Sequence, residues 1–399
     1  MVDDRNVPVV LSAVRTAIGS FMGSLSPLPA TELGGAAIRE AVSRAGVKPE
    51  TVDEVIMGNV VTAGEGQAPA RQAAIKGGLP ETVGALTVNK VCGSGLKAVM
   101  LAASAIRAGD GEIFVAGGME SMSHVPYYLA GARAGFRMGH QQIVDGMIQD
   151  GLWCAFSDKH MGSCAEHIAR RFDVSRADQD NYALASHRKA IAAQDAGKLA
   201  AEIVTVHVAQ RKGEALAFSV DESPRRDTTL EKLASLRPAF EKSGSVTAGN
   251  APGLNDGAAA LVVTSLAAAK RLERQPLAFI AGYAQGAVVP IDVFYAPVVA
   301  VQNLMRRHGW AIGDFDLVEA NEAFAAQALV DGRELGWDWS RVNVNGGAIA
   351  LGHPLGASGA RVLVTLVHAM RDRGAQRGLA TLCLGGGEAV ALAVERPGA

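Results

Sequence analysis

The chain has 399 residues, of which 49% are hydrophobic and 20% charged, with 46 glycines and a formal net charge of -2. That length exceeds what one hydrophobic core usually supports, so two domains or a fused pair of halves are expected, and the apolar content excludes a disordered chain. Charge is balanced, so neither nucleic acid nor an anionic membrane is an expected partner, and any anionic ligand must be met by a local patch.

The N-terminal stretch MVDDRNVPVV lacks a basic segment followed by an apolar one. No continuous run of about 18 apolar residues occurs, which makes a soluble, cytoplasmic protein the expectation. Residues 85–91 (ALTVNKV) read as a short strand, and Leu96, Val99, Met100 and Ala103 then recur at helical spacing until Gly109 closes the helix. Cys92 falls at the junction, where unpaired N–H groups and the positive end of the helix dipole favour a thiolate. Gly93 and Gly95 let another molecule approach the backbone. Taken alone, the motif fits an activated thiol or a buried, inert cysteine equally well. The other cysteines, Cys154, Cys164 and Cys383, form no CxxC pair and no paired spacing with histidine, so no metal site is expected. A reducing compartment would keep the thiols free.

From about Ser121 to Val246 the pattern changes. This stretch holds Tyr127-Tyr128, a Gly-rich segment from Gly131 to Gly139, a helical stretch from Ala177 to Ala196 and a charged segment from Arg211 to Arg226. It reads as an inserted loop domain. Arg225 and Arg226, after Pro224, could meet a phosphate, although a solvated basic turn is the commoner explanation of such a pair.

The flanking regions echo each other. Gly46 is followed by EVIMGN ending at Asn59, and Gly309 by DLVEAN ending at Asn321; Ser94-Gly95 opens a helix before the strand EIFVAGG, and Ser358-Gly359 opens one before LATLCLGGG. Strands alternating with helices imply largely parallel sheets covered by helices. In the second half, His353 lies in the glycine-dense loop NGGAIALGHPLGASG, where it could face a cavity and act as a general base. Cys383 ends an apolar strand and precedes Gly385-Gly386-Gly387, while Asn321 marks another strand-to-helix junction. Each also has an ordinary reading as a loop histidine, a core cysteine or a helix cap.

Together NKVCGSG, NEAFAAQ, GHPLGASG and CLGGG resemble the four active-site signatures of the thiolase family, in the family's order. The resemblance extends through VRTAIGSF near Arg15, MGNVVTAGEGQAPARQAA from Met57, AGGMESMS from Ala116, HMG at His160, KLASLRPAF from Lys232 and TAGNAPGLNDGAAA from Thr247. It implies a thiolase-like α/β fold: two duplicated five-stranded βαβαβαββ halves in a layered α/β/α/β/α arrangement with an inserted loop domain. On that pattern residues 1–121 and 247–272 form the N-terminal half, 122–246 the insert and 273–399 the C-terminal half.

The implied activity is an acyltransferase reaction: reversible Claisen condensation of acyl-CoA, or thiolysis of 3-ketoacyl-CoA. Cys92 would carry the acyl group after His353 takes its proton, and Cys383 would remove or return the α-proton, with its own pKa brought near working pH by His353 and the neighbouring turn. One oxyanion hole would use the N–H groups of Cys92 and Gly385, the other His353 and a water held by Asn321. The resemblance also implicates Leu152, His160, Met161, Arg225, Leu236, Phe240, Ala248, Pro252 and Phe324 in binding the substrate and its CoA moiety. Coenzyme A is then substrate or product, with no further cofactor and no metal, and a homodimer or homotetramer is expected, the loop from Ser121 to His140 resembling a segment used in tetramer assembly.

Three departures from the family pattern stand out. Pro252 replaces a serine near the expected pantetheine site, PIDVFYAP replaces PxxMGxGP near the expected acyl pocket, and Ala389 stands where a glycine is frequent. A decarboxylating ketosynthase would share the nucleophile but not Cys383, and a non-catalytic acyl-CoA-binding relative also stays open. No GxGxxG opens a first strand–helix turn with an acidic partner downstream, which argues against a dinucleotide site.

Overall fold

The computed structural model describes residues 3–398. The first half contributes β1 (Pro8–Thr16), α1 (Ala30–Ala45), β2 (Glu54–Gly58), β3 (Gly84–Val88), α2 (Ser94–Ala108) and β4 (Ile113–Ser121). The chain then leaves the sheet for α3 (Met161–Arg171) and α4 (Arg176–Asp195), touches β1 again in parallel at Ile203–Val204, and returns as β5 (Asn255–Ser265). The second half follows as β6 (Ala278–Ala287), α5 (Ala296–His308), β7 (Leu317–Ala320), α6 (Ala325–Leu335), α7 (Leu355–Arg373), β8 (Arg377–Leu384) and β9 (Glu388–Glu395).

The strands lie in the order β7-β8-β9-β6-β1-β5-β4-β2-β3. In the first half β2, β3 and β4 run parallel, while β5 is antiparallel to both β4 and β1. In the second, β7 and β8 run parallel and β9 is antiparallel to both β8 and β6, so the connectivity repeats. In the sheet, Val9 opposite Phe279 and Val10 opposite Ala278 join the halves. The expected five-stranded second half is reduced: its outer position is filled by Val342, bridging Val318 in parallel, because the chain turns away at once into the glycine-dense loop.

Three apolar cores make the layers. One lies under α1 on the outer face of the first half and another under α5 on the outer face of the second. Between them α2 and α7 pack against strands of both halves. The apolar stretch Val91–Ala108 is long enough to cross a bilayer, but it is mostly buried in this central layer. The two central helices touch through glycines: a Cβ on Gly95 would lie 2.7 Å from the Ala360 nitrogen, and one on Gly359 2.4 Å from the Leu96 nitrogen. A methyl group at either position would push apart the helix ends that follow Cys92 and His353.

The insert is tied to the sheet by Arg15. Its guanidinium, fully buried on β1, pairs with Glu202 (2.6 Å) and Asp221 (2.7 Å). Losing one member of such a group strands a buried charge, so the arrangement fixes the insert over the strand ends.

Candidate active site

Between β3 and α2 the backbone makes a strained turn. Val91 has φ 44°, a left-handed conformation that a β-branched residue rarely adopts. Local hydrogen bonds hold it there: Val91 N–H donates to Asn89 Oδ1 (3.0 Å), Ser94 Oγ donates to the Val91 carbonyl (2.6 Å) and Lys90 N–H donates to Ser94 Oγ (2.8 Å). The helix begins at Ser94, and Gly93 lies so close to the other half that a Cβ would sit 2.4 Å from Leu384 Cδ2. Cys92 is thereby presented to a cavity at the join of the halves.

That cavity, about 310 Å³, is lined by Cys92, His353, Cys383 and Gly385 together with Leu152, His160, Met161, Phe240, Pro252 and Phe324. The two sulfurs, from the first and last parts of the chain, therefore share one enclosure, and Cys92 acts on the Cys383 thiol. A second cavity of about 380 Å³ contains Arg225 and Ala248 and shares the Ala251–Leu254 wall with the first.

His353 is oriented by a serine hydroxyl. Ser358 Oγ donates its single hydrogen to the Pro354 carbonyl (2.8 Å) and lies 2.6 Å from His353 Nδ1. With its hydrogen on that carbonyl, the hydroxyl accepts from Nδ1–H, and Nε2 is then the unprotonated acceptor. The backbone is pinned as well, His353 N–H donating to Asn255 Oδ1 (2.9 Å). Burial, reinforced by the Arg361 guanidinium, lowers the imidazole to about 3. It is neutral at physiological pH.

The thiols depart from the reading of the helix end. Burial pushes Cys92 up from 9.0 to about 12, although the amides of Cys92 and Gly385 at its sulfur act in the opposite sense. Burial wins, and the resting group is a thiol. Cys383 is likewise raised, by burial first and then by Cys92 and Asp331, so the expected tuning toward neutrality is absent in the resting site.

Asn321 does not line the cavity. It is fully buried, its N–H bonded to the Thr381 carbonyl (3.0 Å), and neither side-chain amide atom has a protein partner. Leu236 also lies outside both cavity walls; its carbonyl accepts from Arg176 (3.1 Å) and its side chain packs by Gly249. The two adjacent arginines separate cleanly: Arg226 is engaged by Asp195 (2.6 Å), whereas Arg225 joins no ion pair among the described residues.

Sequence reasoning missed two supports. Ser358 carried no role, although its place four residues after Pro354 at a helix start is the spacing for such a back-bond. Glu120 is buried and accepts from Val60 N–H (3.1 Å), Val61 N–H (3.2 Å), Gly356 N–H (2.9 Å) and Asn59 Nδ2 (3.1 Å), fastening the turn after His353 to the first half.

Two thiols and a neutral imidazole gathered where duplicated α/β halves meet are the equipment of an enzyme that moves acyl groups through a cysteine. Residues 8–267 match the family described as thiolase, N-terminal domain, and residues 274–396 the thiolase, C-terminal domain. The chain is 58% identical to acetyl-CoA acetyltransferases of Pseudomonas aeruginosa and Cupriavidus necator over 97% of its length and 99% of theirs. It also superposes on a Bacillus anthracis acetyl-CoA acetyltransferase crystal structure with a TM-score of 0.96 at 43% identity, covering 98% of both chains. The chain belongs to the thiolase family and is an acyltransferase.

Proposed function

We propose that the protein joins two acetyl-CoA molecules into acetoacetyl-CoA and CoA, and catalyses the reverse thiolysis, through an acyl group on Cys92. The observation that carries this reading is the meeting of Cys92, Cys383 and the His353 ring on one cavity wall. In thiolysis, His353 Nε2 takes the Cys92 proton and the sulfur attacks the 3-keto carbon. The bond between carbons 2 and 3 breaks, its electrons going to carbon 2, and the neutral Cys383 thiol protonates the acetyl-CoA carbanion that departs. CoA, giving its proton to the Cys383 thiolate, then attacks the thioester, and His353 returns its proton to Cys92. The amides already at the Cys92 sulfur would stabilise one oxyanion, and the unpartnered amide of Asn321 could hold a water for the other.

The CoA chain would run along Ala251–Leu254 to Arg225, whose unpaired guanidinium suits a phosphate. The exposed apolar side chains Tyr127, Met138 and Ile143 would be covered in a homodimer or homotetramer, which light scattering would detect. Thiolysis of acetoacetyl-CoA by the wild type and by Cys92→Ala tests the reading. It expects turnover in the first and none in the second, and undiminished turnover in Cys92→Ala would end it.

A further inference from the structure

The two sulfurs face different apolar surroundings. Cys92 packs against a group containing Met122, Met147 and Leu355, whereas Cys383 belongs to one containing Val293, Phe294 and Phe324. The wall shared with the Arg225 cavity is the entrance expected for CoA, so carbons of an acyl chain beyond the reacting carbonyl must extend elsewhere. On the Cys383 side they meet Phe294, which is 2% exposed.

That ring is immobilised. It packs edge-on against Phe324 (centroids 5.1 Å apart, 70°), which packs edge-on against Phe240 (6.3 Å, 81°), and Phe240 stacks on His160 (4.8 Å, 24°). The backbone carrying it is fixed from both sides. Asp292 pairs with His167 (2.9 Å) and with Arg171, while Tyr295 stacks on Phe172 (5.4 Å, 12°) and donates to Glu334 (3.2 Å). Swinging the Phe294 ring aside would break its edge contact with Phe324, and shifting its backbone would disturb the Asp292 ion pairs.

We propose that Phe294 is a specificity-determining residue, a rigid stop that confines the reaction to 3-ketoacyl thioesters about as short as acetoacetyl-CoA. The inference rests on the thiolase reading and concerns the depth of its acyl pocket. Removing the ring opens space that longer chains can fill, and each buried methylene is worth about fourfold in binding, or about sixteenfold for two.

The test is kcat/KM for thiolysis of acetoacetyl-CoA, 3-ketohexanoyl-CoA and 3-ketooctanoyl-CoA by the wild type, Phe294→Ala and Phe294→Leu. The wild type is expected to fall steeply beyond four carbons. Phe294→Ala should raise the six-to-four-carbon ratio about tenfold or more, and Phe294→Leu, which keeps most of the filling, should raise it less. A flat wild-type profile overturns the proposal even if neither variant folds, and so does an unchanged ratio in either folded variant. Absence of any wild-type turnover on acetoacetyl-CoA would instead count against the thiolase reading itself.

Discussion

Ser358→Ala isolates the device that sets the histidine tautomer. The hydroxyl is 1% exposed, accepts from His353 Nδ1 at 2.6 Å and donates to Pro354 at 2.8 Å. A methyl group there leaves a buried N–H without its acceptor, which costs about 1–3 kcal/mol. The imidazole can recover part of that by moving its proton to Nε2, but the proton then occupies the lone pair needed to activate Cys92. Either route lowers the rate of acylation, by about 5- to 150-fold for that energy. Rapid-quench measurement of Cys92 acylation is the assay, with CoA affinity as the control, because a positioning defect should change the rate and spare binding. Wild-type acylation in a variant with an unchanged melting profile would refute the reasoning.

Other expectations follow from the same geometry. Glu120→Gln turns an NH2 group toward two of the four donors that the carboxylate accepts, and should lower stability by about 2–5 kcal/mol in denaturant titration. Burial, with Arg225 nearby, lowers His187 from 6.5 to about 4. The unfolded chain therefore takes up a proton below pH 6.5 that the folded chain refuses until about 4, so this group's contribution is present above 6.5 and lost as pH falls through that window. His187→Gln should flatten the acid limb of stability against pH by at most about 1.4 kcal/mol per pH unit. Arg225→Ala should raise KM for CoA several-fold with kcat little changed, whereas Arg226→Ala, which loses only an exposed pair with Asp195, should leave KM unchanged.

Features encoded by neighbouring residues were legible in the sequence. The turn at Cys92, the cap at Gly109 and the long helix, expected at 177–196 and found at 176–195, follow from local periodicity and glycine placement. The duplication was legible because matching strand ends carry matching residues, Asn59 and Asn321. The second central helix starts at Leu355, directly after Pro354 at its N-cap and ahead of the expected Ser358.

Features made by distant residues were not legible. The helix end argued for a Cys92 thiolate, but burial by cavity walls such as Leu384, which arrive from nearly three hundred residues away, outweighs it. Cys383 is displaced in the same way, by burial first and then by Cys92 and Asp331. The His353 tautomer depends on where one serine hydrogen points, and Glu120 binds a turn 236 residues away. Neither leaves a periodic trace in the chain.

The division of labour between the two sulfurs is tested most directly by mass analysis of the Cys92 peptide after Cys383→Ala is incubated with acetyl-CoA. The expected result is acetylated Cys92 with no acetoacetyl-CoA formed. Unmodified Cys92, or carbon–carbon bond formation at the wild-type rate, would contradict it.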